Sequence, residues 1–274
     1  MESQACVAPY SPLHICVAGL CLAITCTDAS VLTELRAYYQ PFLGDLPPSL
    51  TAQVDILPPN PAAGLPDLGH SGRFENQALV FSGPAGEGRI DLANNQAELK
   101  LTTEYPALEI EYFVRSAFAL LLFAAGGLLF HAAGIKRNGQ AYLFFGHSGS
   151  GKTTVARLSP GAQVLNDDLV ALLPANGGWV AHATPFWNPT QVRPGLSQGP
   201  VAGLYRLVQD RQVYCERVGA AQALAEVIAS APVISADLGR GPELVHRGLD
   251  LLTQVPVYRL HFLPDDSFWQ VVDP

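Results

Sequence analysis

The sequence has few charged residues and very few lysines. Charged side chains make up 15% of the 274 residues, and the lysines are Lys100, Lys136 and Lys152 alone. The formal net charge is −8, which argues against binding to nucleic acids or to an anionic membrane surface. Hydrophobic residues make up 49%, so a sizeable core is expected and disorder is excluded.

Cysteines and long hydrophobic runs are also scarce. None of the five cysteines lies in a C-x-x-C pair, so a zinc site is not indicated, and their odd number in a long chain favours reduced thiols in a cytoplasmic protein. The first basic residue is Arg36, so we expect no secretory signal. The most hydrophobic run, Ala117–Phe130, is too short to cross a bilayer and predicts a buried helix leading into a core strand.

The distribution of proline and of apolar residues predicts two parts. Residues 1–104 are expected to form a small α+β subdomain, with a helix over Val31–Tyr39 capped by Asp28. The prolines between Pro47 and Pro61 predict a long loop that can be neither a helix nor an inner strand. In residues 105–274, short apolar strands alternate with turns and helices, which predicts a second domain of the α/β class.

One motif in the second part predicts nucleotide binding. It matches G-x-x-x-x-G-K-[ST], follows an apolar strand and precedes a helix. In such a P-loop, backbone N–H groups and the helix N-terminus surround phosphate, the lysine contacts the β/γ-phosphates and the Thr/Ser hydroxyl can bind Mg²⁺. The alternative is a surface loop rich in glycine and serine. The predicted nucleotide-binding residues are Gly146, His147, Ser148, Gly149, Ser150, Gly151, Lys152, Thr153 and Thr154.

An aspartate pair follows the next predicted strand. Ligands of α/β sheets gather at the carboxyl ends of strands, so Asp167 and Asp168 are expected beside the P-loop. Neighbouring side chains on an extended segment point to opposite sides. One carboxylate can therefore face a metal while the other faces an acceptor hydroxyl as general base. A capped turn, in which aspartate is common, is the alternative.

Two histidines lie near these motifs. The predicted strand of His131 runs beside the P-loop strand, so His131 could reach the phosphates or the carboxylates, although alone it would be read as a structural residue. His147 lies at a variable position of the loop and is not expected to be catalytic.

Together, His131, Gly146–Thr153 and the pair Asp167-Asp168 resemble the catalytic domain of HPr kinase/phosphorylase, a bacterial serine kinase. The resemblance implies a P-loop kinase core of the HPr kinase/phosphoenolpyruvate carboxykinase type with a mixed sheet. It implies ATP and Mg²⁺ as cofactors, with Lys152 and Thr153 serving them, and it implies that Asp168 takes the proton of the acceptor serine with His131 nearby. The catalytic residues expected are thus His131, Lys152 and Asp168. The family includes hexamers, so the resemblance also allows a homo-oligomer.

A looser likeness covers the whole chain. The segments His131–Gly134, Thr184–Trp187 and Pro256–Phe262 are similar to those of HPr kinase-like proteins found near ribosomal-peptide maturation genes, including lasso-peptide kinases. By position, Thr184–Arg193 would be a substrate loop in which Arg193 binds a phosphate or carboxylate. The alternatives are core packing for Phe186 and Trp187 and a solvated loop residue for Arg193.

The chain departs from the kinase/phosphorylase pattern at one place. No carboxylate lies between Asp168 and Asp210, so the metal must be held by Thr153, Asp167, phosphate oxygens and water. Phosphorylase activity is not expected.

These observations predict a kinase that transfers the γ-phosphoryl group of ATP to a serine-like hydroxyl of a peptide or protein. One alternative is a kinase of a small hydroxyl metabolite. A second alternative is a nucleotide-binding regulatory module without turnover, which the missing third carboxylate favours.

Overall fold

The computed structural model describes residues 11–64, 66, 68–175, 177–186 and 193–273. The chain divides into two compact units, Met1–Ala117 and Phe118–Pro274. Both combine helices with a mixed sheet, so the α/β class is confirmed. The predicted domains, 1–104 and 105–274, stay a prediction. Among the described residues, none of the helices has the length and hydrophobicity that crossing a bilayer demands.

The described elements of the first unit are β1 Leu13–Val17, β2 Leu20–Cys26, α1 Ala29–Tyr39, β3 Leu50–Ile56, α2 Leu68–Ser71, β4 Arg73–Glu75, β5 Ala78–Gly83, β6 Gly86–Asp91 and β7 Gln96–Leu101. They are built on a sheet with the strand order β1-β2-β3-β7-β6-β5-β4. The predicted cap of α1 is confirmed, because the Asp28 carboxylate accepts hydrogen bonds from the N–H groups of Ser30 and Val31.

The prediction of a proline-rich loop without an inner strand is wrong for residues 50–56. Strand β3 lies between β2 and β7 and pairs in parallel with both. The prolines flank this strand and none lies within it, so its ladder of hydrogen bonds is complete. Leu50, Ala52 and Val54 alternate as fully buried residues, which is the pattern of a strand with one face on a core.

The prediction that all cysteines are reduced is wrong for Cys16 and Cys21, which form a disulfide. The two residues are directly opposite each other in the β1–β2 hairpin, with 4.2 Å between their Cα atoms. The turn between the two strands thus brings the thiols together, a proximity that counting cysteines does not reveal. Cys26 and Cys215 are free, and Cys6 lies outside the described residues.

Helix α3, Pro106–Ala124, contains the boundary between the units and agrees with the predicted buried helix. The described elements of the second unit are β8 Leu128–Arg137, β9 Gln140–Phe145, α4 Lys152–Arg157, β10 Gln163–Asn166, β11 Leu169–Ala175, β12 Gly178–His182, β13 Gln198–Gln209, β14 Tyr214–Arg217, α5 Ala220–Ala229, α6 Gly241–Gln254, β15 Val257–Phe262 and α7 Trp269–Val272. Its sheet has the order β10-β8-β11-β12-β13-β15-β14, and β9 pairs with β8 and β13.

The parallel strands of the second unit position the site. Strand β13 pairs in parallel with β9 on one side and with β15 on the other, so all three end at the same edge of the sheet. An aromatic core under this edge includes Phe144, Tyr205, Phe262, Phe268 and Trp269. Because these rings are buried, they fix the strands from which the loops at that edge leave.

Candidate functional site

The predicted P-loop leaves the carboxyl end of β9 and leads into α4, as the sequence indicates. Gly146, Gly149 and Gly151 have φ values of 151°, 79° and 112°, a region that side chains rarely adopt. At Gly151, a Cβ atom would also lie 2.6 Å from Cζ of Phe262. The loop therefore depends on glycine for its turn and for its close contact with the core.

Two polar side chains mark the interior of the loop. The Lys152 ammonium group donates hydrogen bonds to the carbonyl oxygens of Gly146 at 3.0 Å and His147 at 3.4 Å, which holds it over the loop. The Ser150 hydroxyl is buried and finds no hydrogen-bond partner in the described part of the chain. A buried hydroxyl without a partner is costly, and a phosphate oxygen in the loop would satisfy it. These features fit a bound polyphosphate.

Strand register brings His131 to the start of the same loop. Ala132 is opposite Phe145 in the antiparallel pair of β8 and β9, so the preceding residue of β8 lies beside Gly146. On its other side, His131 is opposite Leu169 in β11. The residue before Leu169 is Asp168, and Nε2 of His131 lies 3.0 Å from its Oδ1 atom. Both side chains are partly exposed, at 42% and 33%, so a substrate can reach them.

The two aspartates have different surroundings. Asp167 is 1% exposed and accepts a hydrogen bond from the Thr153 hydroxyl. Burial, which is the largest cause, and the negative charge of Asp168 together raise the pKa of Asp167 to about 6, whereas the bond from Thr153 opposes the shift. Burial also lowers the pKa of Lys152, and the charges of Asp168 and Asp167 oppose that change. The lysine and both carboxylates therefore share one electrostatic environment.

Thr153 and Asp167 offer the oxygen ligands that Mg²⁺ prefers. Their hydroxyl and carboxylate are adjacent, at the N-terminus of α4 and at the end of β10. In the described part of the chain, no three His, Cys, Asp or Glu side chains are grouped so that they could hold a metal ion by themselves. The two protein ligands that the sequence indicates thus fit a cation whose other ligands are phosphate and water.

Asn166 fixes the turn that carries the aspartates, a role that the sequence analysis missed. Its buried Oδ1 atom accepts hydrogen bonds from the N–H groups of Asp168 at 2.7 Å and Leu169 at 3.0 Å. Its Nδ2 group donates to the carbonyl oxygen of Thr184, whose hydroxyl donates to the carbonyl oxygen of Leu169 at 2.5 Å. Asparagine directly after a strand is a turn signal that could have indicated this role.

The structure gives the remaining predicted residues different environments. Phe186 is fully buried, which confirms core packing for this residue. Trp187 lies outside the described residues, and Arg193 is exposed. His147 is exposed and its Nδ1 atom lies 2.7 Å from the carbonyl oxygen of Ser148. Thr154 follows Thr153 in the first turn of α4 and is partly buried.

Comparisons with known proteins give a family-model match and similarities to solved structures. A family model described as "SynChlorMet cassette protein ScmC" matches residues 106–197, a stretch that contains His131, the P-loop and both aspartates. A search among curated proteins finds no match. Among solved structures, the chain is similar to the Hpr(Ser) kinase/phosphatase from Coxiella burnetii, at 13% identity over 51% of this chain and 82% of that chain. The TM-score is 0.31, which does not establish a shared fold.

Proposed function

We propose that this chain is an ATP-dependent phosphotransferase that transfers the γ-phosphoryl group to a serine-like hydroxyl of a peptide or protein. One observation carries the proposal: the carboxylate of Asp168, 3.0 Å from Nε2 of His131, lies at the same edge of the sheet as a glycine-rich loop with the sequence pattern of a P-loop. Phosphoryl transfer needs this combination, because it depends on positioning the nucleophile and on stabilising charge on the phosphoryl oxygens.

Each residue has a separate task in the proposed reaction. Asp168 accepts the proton of the acceptor hydroxyl as its oxygen forms a bond to the γ-phosphorus. The bond from this phosphorus to the bridging oxygen breaks, and ADP leaves with the bonding electrons. Lys152 and the loop N–H groups stabilise the negative charge on the phosphate oxygens. His131 orients the Asp168 carboxylate through the 3.0 Å contact.

Thr153 and Asp167 would hold Mg²⁺, which neutralises charge on the β- and γ-phosphates when it is bound. The buried position of Asp167 suits this task, because a carboxylate that is costly to ionise in the protein gains most from a nearby cation. The resemblance to HPr kinase-like proteins supports a serine-like acceptor. We also propose that this chain acts in the cytoplasm.

The test is transfer of label from γ-labelled ATP in the presence of Mg²⁺. The acceptors are serine-containing peptides encoded by neighbouring genes and, separately, free serine. We expect labelled peptide, and we expect Asp168→Asn to lower the rate by roughly 10²–10⁴-fold with ATP affinity retained. Asp45→Asn, a change at an exposed residue of the other unit, is the matched control. Full transfer by Asp168→Asn would contradict the proposed base.

A nucleotide-binding module without turnover is the second candidate. The specific observation in its favour is that, among the described residues, no three His, Cys, Asp or Glu side chains are grouped so that they could hold a metal ion. Under this alternative, Mg²⁺-ATP binds and no acceptor is labelled. Preferential labelling of free serine would instead favour a small-metabolite kinase.

A further inference from the structure

A group of three side chains lies next to the P-loop and takes no part in the chemistry described above. Asp210 directly follows β13, His261 is the next-to-last residue of β15, and Tyr214 begins β14. His261 is opposite Tyr214 in the antiparallel pair of β14 and β15. Nδ1 of His261 lies 2.7 Å from Oδ2 of Asp210, and the rings of His261 and Tyr214 are stacked with centroids 4.1 Å apart.

This group lies at the same edge of the sheet as the P-loop. The Gln209 side chain donates a 2.9 Å hydrogen bond to the carbonyl oxygen of Gly149, which ties the end of β13 to the loop. Strand β15 is the second strand from β9, because β13 lies between them. At a spacing of about 4.8 Å per strand, β15 runs about 10 Å to the side of β9, a distance that the ribose and phosphates of a nucleotide can span.

The direction of the group relative to the loop is also suitable. His131 and Asp168 approach the loop from β8, which pairs with one side of β9, whereas β13 and β15 lie on the other side. A nucleotide whose γ-phosphate faces Asp168 therefore extends its nucleoside toward β15. Phe262 contacts Gly151 on one face of the sheet. Because neighbouring side chains of a strand point to opposite faces, His261 lies on the other face. The nucleoside would therefore lie over the edge of the sheet.

We propose that Tyr214, Asp210 and His261 form the subsite for the nucleoside of the bound nucleotide. Tyr214 is 40% exposed although one face of its ring is covered by His261, so the other face can stack on a base. The Asp210 carboxylate is partly exposed and accepts hydrogen bonds, which suits the donor hydroxyls of ribose. His261 holds both groups in place and is itself only 12% exposed.

This inference rests on the proposed nucleotide-binding function, and calorimetric titration of the full chain separates the two. The probes are Mg²⁺-ATP and Mg²⁺-tripolyphosphate, which share the phosphates but not the nucleoside. The unaltered chain should bind ATP more tightly than tripolyphosphate. Tyr214→Ala should weaken ATP binding roughly 5- to 150-fold, the range that base stacking contributes, and leave tripolyphosphate binding unchanged.

Three further variants sharpen the result. Tyr214→Phe should keep the affinity for ATP, because phenylalanine also stacks. Tyr105→Ala changes a comparably exposed tyrosine, at 43%, in the other unit and should have no effect. Asp210→Asn should reduce the preference for ATP over 2′,3′-dideoxy-ATP by roughly 10- to 150-fold, the value of a hydrogen bond to a charged group.

The outcomes are distinguishable. Unchanged ATP affinity in Tyr214→Ala would overturn the subsite and leave the P-loop proposal intact. An equal loss for ATP and tripolyphosphate would also overturn it, because Tyr214 would then support the loop rather than the base. If the unaltered chain bound neither probe, the proposed function itself would fail.

Discussion

The Nε2 atom of His131 lies 3.0 Å from the Oδ1 atom of Asp168, and this contact joins two strands on the same side of the P-loop strand. His131 belongs to β8, and Asp168 directly precedes β11, which pairs with β8. The contact restricts the carboxylate to one orientation while a third of its side chain stays exposed. If Asp168 is the base, as proposed, it is already oriented for an acceptor hydroxyl without a prior change in the fold.

Replacement of His131 tests the importance of this orientation. We expect His131→Gln to lower kcat for phosphoryl transfer roughly 10- to 150-fold and to leave KM for ATP unchanged, because a hydrogen bond to a charged group contributes about 1.5–3 kcal/mol. Steady-state kinetics with the labelled peptide measure both constants. His246→Gln, at an exposed position of α6, is the control. An unchanged kcat in His131→Gln would show that Asp168 needs no orienting partner.

Asn166 should affect the reaction without touching a substrate. Asn166→Ala leaves the N–H groups of Asp168 and Leu169 without their acceptor, and a buried unsatisfied group costs about 1–3 kcal/mol. We therefore expect a loss of stability on the order of 2–4 kcal/mol in urea unfolding. We also expect a lower kcat with ATP affinity retained, because the turn loosens while the P-loop is intact.

Thr184→Val is the matched variant for Asn166→Ala. It removes the hydroxyl that donates to the carbonyl oxygen of Leu169 but keeps both acceptor contacts of Asn166. We expect Thr184→Val to lower the stability about as much as Asn166→Ala does but to lower kcat less. Equal effects on kcat would mean that general destabilisation, and not the position of Asp168, limits the rate.

The sequence predicts those features that depend on local signals. The predicted P-loop depends on the spacing of its motif and on the flanking strand and helix. The cap at Asp28 depends on hydrogen bonds to residues only two and three positions away. Strand β3 is not predicted, because the prolines before and after it hide an apolar alternation of only four residues, Leu50, Ala52, Val54 and Ile56. The Cys16–Cys21 disulfide depends on the register of a hairpin, which cysteine spacing alone does not encode.

The same distinction applies to the candidate site. The sequence could suggest that His131 and Asp168 are close, because their strands were expected near the P-loop strand. Their actual distance depends on the pairing of His131 in β8 with Leu169 in β11. The contacts of Gln209 with Gly149, and of His261 with Asp210, join residues 60 and 51 positions apart. No local pattern marks such pairs, because they are brought together by parallel strands whose order the sequence leaves open.

Gly151 tests how closely the P-loop must approach the core. A side chain at this position would meet Phe262 and would also need a φ of 112°. We expect Gly151→Ala to cost about 2–4 kcal/mol of stability and to weaken Mg²⁺-ATP binding strongly. Gly161→Ala is the control, because Gly161 also has a positive φ, 74°, but no atom within 4 Å of the added Cβ. It should cost about 1 kcal/mol and keep ATP affinity. Equal ATP affinities in the two variants would contradict the need for this close contact.

Asp167 should make stability depend on pH. Burial raises its pKa from 3.8 to about 6, so the folded protein favours the protonated carboxyl more than the unfolded chain does. The resulting stabilisation is fully present below about pH 4 and is lost as the pH rises through about 6. Asp167→Asn removes this titration and can keep the contact with Thr153, since its amide oxygen is also an acceptor.

Unfolding free energies of the unaltered chain and of Asp167→Asn, measured in urea from about pH 4 to about pH 8, check this expectation. The stability of Asp167→Asn relative to the unaltered chain should rise by on the order of 2–3 kcal/mol over this range, since one pKa unit corresponds to about 1.4 kcal/mol. Asp250→Asn, at an exposed position of α6, should show no such rise. A constant difference for Asp167→Asn would mean that water or a cation offsets the burial of the carboxylate already at neutral pH, and the site would then be open to solvent in the free protein.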